Sequence, residues 1–201
     1  MAAPASDPSW SDYYQKVAQR PVRDLLIQVV ERFPSPGVAI DLGCGGGIET
    51  SELLRRGWHV VAVDQEAAAL NSTFGQAPPE ARDRLTTQCA AFGSVLLPAA
   101  DLIWAGSSLP FCQPEHFPRL WEQISTALCP GGRFAGDLFG VHHAWREIPS
   151  MTFVTMEQVQ TLLQSFEVEL LNEREEERQT AFQGIQHWHG FAIVARKPVL
   201  A

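Results

Sequence analysis

The apolar positions change period several times along the chain, and each change marks a predicted element. Val17, Val22, Leu25, Leu26, Val29 and Val30 recur near helical spacing and predict helix over residues 10–33, with Pro21 starting a second segment. Pro34-Ser35-Pro36-Gly37 stops that helix and delivers a short apolar run, Ala39 to Leu42, read as the first strand. A helix over 48–56 closed by Gly57, a strand over 60–63 and a helix over 66–74 follow. The region 85–92 predicts a third strand and 101–105 a fourth. A helix over 114–128 runs through Pro118, and Pro130-Gly131-Gly132 turns into a fifth strand over 133–139. Residues 153–166 are amphipathic around Val159, Leu162 and Leu163 and lead to a sixth strand through Leu171, and alternation over 187–195 predicts the last strand. Strands alternating with helices imply an α/β fold, a mainly parallel sheet with helices on both faces.

One stretch organises the rest. The first strand ends in Asp41-Leu42-Gly43-Cys44-Gly45-Gly46-Gly47, an acid followed by glycines that let the backbone take left-handed dihedrals and let a ligand approach the main chain. The helix from Ile48 points free amides at the same place. The second strand ends in Asp64, a spacing that suits a ribose. A nicotinamide dinucleotide fold is the competing reading, but the third glycine of G-x-G-x-x-G falls on Ile48.

Composition narrows the setting. The chain has 201 residues, enough for one domain with a core of its own. A formal charge of −8 argues against a nucleic-acid partner, which needs a basic face. Cys44, Cys89, Cys112 and Cys129 are scattered and show no metal-ligand spacing, so they read as reduced thiols. Neither a signal peptide nor a membrane-spanning run is visible, and a cytoplasmic protein without membrane or nucleic-acid partners is expected. The charge run Glu173-Arg174-Glu175-Glu176-Glu177-Arg178 reads as a solvated hairpin arm, and no metal site is expected.

The D-L-G-C-G-G-G loop, the Val63-Asp64-Gln65 strand end and Pro130-Gly131-Gly132 resemble the class I S-adenosylmethionine-dependent methyltransferases. Ser108-Leu109-Pro110-Phe111, Gly132 to Gly136, Leu138-Phe139-Gly140 and His187-Trp188-His189 further resemble the tellurite-resistance-type branch of small-molecule methyltransferases. The resemblance implies a Rossmann-like, seven-stranded mainly parallel sheet with an antiparallel last strand. It implies a helical cap over residues 1–34 and a cofactor-binding domain over 35–201. It also implies methyl transfer from S-adenosylmethionine to a small-molecule substrate.

By the same resemblance, Asp41, Gly43, Cys44 and Gly45 surround the methionine part of the cofactor, Asp64 takes the ribose hydroxyls and Gln65 lies beside the adenine. The third motif departs from the family pattern: where an acid often meets the adenine, this chain has Gln88-Cys89-Ala90-Ala91-Phe92, so backbone groups of Ala90 or Ala91 must serve. Gly106 and Ser107 line the other side. An antiparallel last strand begins on the active edge, which brings His187 and His189 to the rim; alternation puts both on one face, as a candidate general base or as structural histidines. Tyr14, Phe111, His143 and Trp145 are candidate substrate contacts. His142-His143-Ala144-Trp145 departs from the branch, where Arg-Asp commonly precedes the tryptophan region. Trp10, Tyr13 and Tyr14 are read as a lid or a packed helix face, and Arg20 as a partner of the methionine carboxylate or a surface residue. A polyamine synthase and a non-catalytic cofactor sensor stay open as alternatives.

Overall fold

The computed structural model describes residues 16–179 and 184–199; Trp10, Tyr13 and Tyr14 lie outside them. Helix α1 is Asp24–Val30, β1 Val38–Leu42, α2 Ile48–Arg55, β2 His59–Asp64, α3 Ala67–Gln76, β3 Leu85–Cys89 and β4 Ala100–Ala105. Then come α4 Phe117–Ala127, β5 Leu128–Gly140, β6 Phe153–Val154, α5 Met156–Leu162, β7 Glu167–Gln179 and β8 Ile185–Arg196. The sheet order is β3-β2-β1-β4-β5-β8-β7, with β6 paired to the end of β5. Strands β1 to β5 pair in parallel, whereas β8 runs antiparallel to both β5 and β7. The strand order reverses between β1 and β4, where open α/β sheets bind ligands.

Alternation along the strands divides the core into two layers. Ile40, Leu42, Ile103, Phe134, Leu138 and Ile193 pack under α4 and α5, with Leu120, Trp121 and Val159 among their neighbours. Ala39, Val60, Leu102, Trp104, Ala135 and Val194 pack under α1 and α2, with Leu26, Val29, Leu53 and Leu54. Both faces of the central strands are therefore buried, which is why their sequences read as continuous apolar runs.

Several boundaries differ from the sequence reading for identifiable reasons. Pro118 lies in the first turn of α4, where its missing N–H costs no helical hydrogen bond. The stretch 153–166 is not one helix: Phe153 and Val154 join the sheet, and Thr155 starts α5 through a capping box with Gln158. Strand β5 begins before Pro130-Gly131-Gly132, and a register shift between Ala100 and Leu102 absorbs the turn. Gly131, at φ 81°, donates to Lys197 O and Gly132 O accepts from Lys197 N, which ties the turn to the end of β8. The largest difference is β7, which continues through the whole charge run to Gln179, paired residue for residue with β8. Poor strand formers are held there by the ladder.

Candidate active site

Three carboxylates stand on one face of the sheet at the carboxyl edge of the parallel strands. Asp41 follows Ala39 on β1, Asp64 follows Val60 and Ala62 on β2, and Asp137 follows Ala135 on β5, all on the α1/α2 side. The glycine loop begins between the first two. Gly43, Gly45 and Gly47 have φ of 82°, 53° and 87°, and Gly43 and Cys44 donate to Val63 O at 2.8 and 2.9 Å. A Cβ on Gly43 would lie 2.4 Å from Ser108 Cβ, so the loop admits no side chain there.

Asp64 is buried and organises this loop. Its Oδ2 accepts from Gly45 N–H and its Oδ1 from Glu66 N–H, both at 2.9 Å. Each carboxylate oxygen keeps a second acceptor position. Asp41 accepts from the Thr50 hydroxyl at 2.6 Å. Burial, and after it the nearby Glu49, push the Asp41 carboxyl up to about 7. Glu49, 5% exposed, is held by both Nη atoms of Arg20 at 2.6 Å, and Arg20 is thus engaged by the protein rather than surface-placed. Arg23 Nε lies 3.9 Å from Glu49 and has no hydrogen-bond partner among the described residues.

Not every sequence candidate sits in this arrangement by its side chain. Cys44 packs with Ala62 and Leu70, and burial raises its thiol well above the usual range, so its side chain belongs to the core and only its backbone to the loop. Gln65 is exposed, and its carbonyl accepts from the Cys89 thiol. Ala90 donates its N–H to Asp64 O, while Ala91 O accepts from Ser94 and Val95. Gly106 backs onto the Trp104 ring, 2.6 Å from where a Cβ would stand.

Ser107, at φ 56°, follows β4 and borders a small cleft of about 60 Å³. Its N–H and hydroxyl both donate to Asp137 Oδ2, at 3.2 and 3.3 Å. Burial raises the Asp137 carboxyl above its ordinary value, against the lowering influence of Arg23 and Ser107. Arg23, Phe139, Arg174, Arg178 and Trp188 also line the cleft. Sequence reading misses Asp137, Arg23 and the two β7 arginines. Period two along Ala135, Asp137 and Phe139 is the available signal, since it puts an acid on an otherwise apolar face.

The two β8 histidines lie on the other face of the strand from Trp188. Trp188 faces the cleft, so its neighbours His187 and His189 face the α4/α5 side of the sheet with Phe191 and Leu138. His189 is 3% exposed and uses both ring nitrogens: Nδ1 accepts from His142 N–H at 3.1 Å, and Nε2 therefore carries the proton toward Glu173 at 2.9 Å. It has no lone pair left for base catalysis. Liganding atoms of His142, Glu175 and His189 lie within 4.8 Å of one another, and Glu175 Oε2 stands 3.4 Å from His142 Nδ1 while His142 N–H donates to His189 Nδ1. His187, 40% exposed, sits between Glu175 and Glu177 at 2.9 and 3.0 Å, and those two acids raise its pKa, Glu177 most. Glu173, Glu175 and Glu177 of the charge run are thus partners of the histidines rather than a merely solvated arm.

His189→Ala removes two part-buried hydrogen bonds and should destabilise the fold by about 1–3 kcal/mol while leaving cofactor affinity unchanged. His187→Ala should leave the melting temperature near wild type. Paired thermal scans and calorimetric titrations check both; a loss of cofactor affinity in either variant would return the histidines to the site.

Phe111, His143 and Trp145 gather around Phe139 on the cleft side. His143 stacks on Phe139 at 4.2 Å, with Trp188 at 4.7 Å and Trp145 at 5.1 Å. Phe111 reaches Phe139 at 6.4 Å and Trp145 at 6.5 Å. Burial, then His187 and His189, lower the His143 pKa to about 4. Its neutral ring accepts from Trp145 N–H at Nδ1, leaving Nε2–H as a buried donor without a hydrogen-bond partner among the described residues.

The strand order, the glycine loop and the acids ending β1 and β2 define the Rossmann-like fold of class I methyltransferases. Residues 40–134 match the family model described as "Methyltransferase domain". Over 118 residues the chain is 33% identical to the trans-aconitate 2-methyltransferase of Sinorhizobium medicae, covering 58% of this chain and 43% of that protein. It is 31% identical over 85 residues to the magnesium-protoporphyrin O-methyltransferase of Rhodobacter capsulatus, covering 42% and 38%. The chain spans less than half the length of these curated relatives. Among solved structures, TehB from Haemophilus influenzae superposes with a TM-score of 0.75 at 16% identity, covering 93% of this chain and 66% of that one. The 1,6-didemethyltoxoflavin-N1-methyltransferase of Burkholderia thailandensis, solved with 1,6-didemethyltoxoflavin and S-adenosylhomocysteine, gives 0.70 at 19% identity, covering 98% and 93%. At these identities the structural likeness is one of fold. Among the described residues, no helix is long and apolar enough to cross a membrane.

Proposed function

We propose that this protein is an S-adenosylmethionine-dependent methyltransferase acting on a small molecule. The observation that carries the reading is the row Asp41, Asp64 and Asp137 on one sheet face, running from the glycine loop to the cleft beside Ser107. The donor set fits the cofactor. Asp64 has acceptor capacity for ribose hydroxyls beyond its two backbone bonds, Asp41 offers a carboxylate to an ammonium, and Arg23 Nε is a buried donor suited to a carboxylate. The bound cofactor supplies an activated methyl on a sulfonium. The chain's task is then to hold the acceptor in line and exclude water, an effect of roughly 7–11 kcal/mol when geometry is good. Phe139, Trp188 and the aromatic residues behind them supply the dry wall.

Calorimetry should show S-adenosylhomocysteine binding and no binding of NAD or NADP; tight nicotinamide binding alone would overturn the reading. Release of S-adenosylhomocysteine during turnover separates an enzyme from a sensor. A linkage follows from Asp41. An ammonium beside it favours its charged form, so binding expels the proton that the free protein holds up to about 7. Affinity should therefore rise between about pH 6 and pH 7, and Asp41→Asn should flatten that rise. Titrations across this range check it; the same slope in both proteins would place the ammonium elsewhere.

A further inference from the structure

The charge run on β7 is sorted by strand face. Glu173, Glu175 and Glu177 point to the histidine side, opposite Phe191, His189 and His187. Arg174 and Arg178 point the other way with Glu176, opposite Gly190, Gln186 and Trp188, and all three of these β7 residues line the cleft. Because β7 is the edge of the sheet, charges there also discourage strand addition, but that role requires no segregation of arginines onto one face.

Neither arginine is used up by the described protein. Among the described residues no carboxylate lies within 4.0 Å of Arg174 or Arg178, in a chain whose formal charge is −8, while Arg20, Arg32 and Arg133 each hold a glutamate within 2.9 Å. With the Asn172 amide turned so that its oxygen faces Arg174, Arg174 Nε donates to it at 3.1 Å, leaving the terminal nitrogens of its fork. Arg178 lies over the Trp188 ring at 4.7 Å. That stacking engages the flat face of the guanidinium and leaves its in-plane N–H groups for a planar anion. Of the acids lining the cleft, Asp137 is held by Ser107 and feels Arg178 only as a minor lowering charge, and Glu176 forms no ion pair with either arginine among the described residues.

We propose that the cleft selects a small carboxylate as the substrate, its anionic group forked by Arg174 and Arg178 and its carbon skeleton laid against Trp188. A planar carboxylate is the anion whose geometry a guanidinium matches in two parallel hydrogen bonds, and the nearby aromatic surface covers the rest of a small organic acid. Arg174 and Arg178 act as binding and specificity residues and need not touch the transferred methyl. The inference rests on the methyltransferase reading for its cofactor, but its recognition chemistry is testable apart from turnover.

The experiment titrates succinate, citrate and benzoate into the full chain saturated with S-adenosylhomocysteine, against succinamide, trimethyl citrate and benzamide as uncharged counterparts. At least one carboxylate should bind and its counterpart should not. The double variant Arg174→Gln/Arg178→Gln should weaken that binding tenfold or more while S-adenosylhomocysteine affinity, which also reports folding, stays at wild type. Arg174→Lys/Arg178→Lys, which keeps the charge, should lose less. Absence of carboxylate binding, equal binding of the uncharged partner, or unchanged binding by the glutamine variant overturns the inference. If S-adenosylhomocysteine itself fails to bind, the methyltransferase reading falls; the carboxylate titration on the free protein still decides this one.

Discussion

Asp64→Ala should lower S-adenosylhomocysteine affinity by roughly ten- to a hundredfold, because a charged acceptor for ribose hydroxyls is worth about 1.5–3 kcal/mol. The same carboxylate closes the loop by accepting from Gly45 and Glu66, so the variant also leaves two N–H groups without their acceptor. The effect therefore has a binding part and a loop-ordering part. Asp64→Asn retains one carbonyl acceptor and should fall between wild type and alanine. Calorimetry on the three proteins, with thermal scans to verify folding, reads both parts. Unchanged affinity in a folded alanine variant would move the ribose to another residue.

Glu49→Ala should act mainly on stability, and severely for a single substitution. It removes the carboxylate that both Nη atoms of Arg20 hold, in a place where Glu49 is almost fully buried. Breaking a fully buried ion pair costs about 3–5 kcal/mol, but Arg20 is 27% exposed and can turn part of its charge to water, so about 2–3 kcal/mol is expected. For a chain of this length that corresponds to a fall of very roughly 5–10 °C in melting temperature. Glu49→Gln should cost less, and by removing a like charge it should relieve the second cause of the Asp41 shift. The pH dependence of cofactor affinity would then move to lower pH. A melting temperature unaffected by Glu49→Ala would mean that the pair makes no net contribution.

The two predictions concern residues of different legibility. Asp64 is visible in the sequence because an apolar strand ending in an acid, after a glycine loop, is a local pattern with a local cause. Glu49 is not, since one acid in the first turn of a helix is common and its partner lies 29 residues away in the chain. Arg20 reads from the sequence as a partner of the methionine carboxylate or as a surface residue; the fold gives it to Glu49. His187 and His189 are a different case. The period of two puts them on a common face, as the structure does, but no local rule says which face of an edge hairpin meets the ligand.

What the sequence by itself determined is therefore what depends on short-range stereochemistry and on repeated apolar spacing: the alternating strands and helices, the left-handed glycines of the loop, the acids that end β1 and β2, and through them the Rossmann-like fold class. Only the tertiary structure decided which side chains face the cleft. The register of β8 against β5 turned Trp188 to the cleft and the histidines away, and the register of β7 against β8 sent alternate members of one charge run to opposite faces. A one-residue slip in either ladder would exchange those faces while leaving the sequence pattern unchanged.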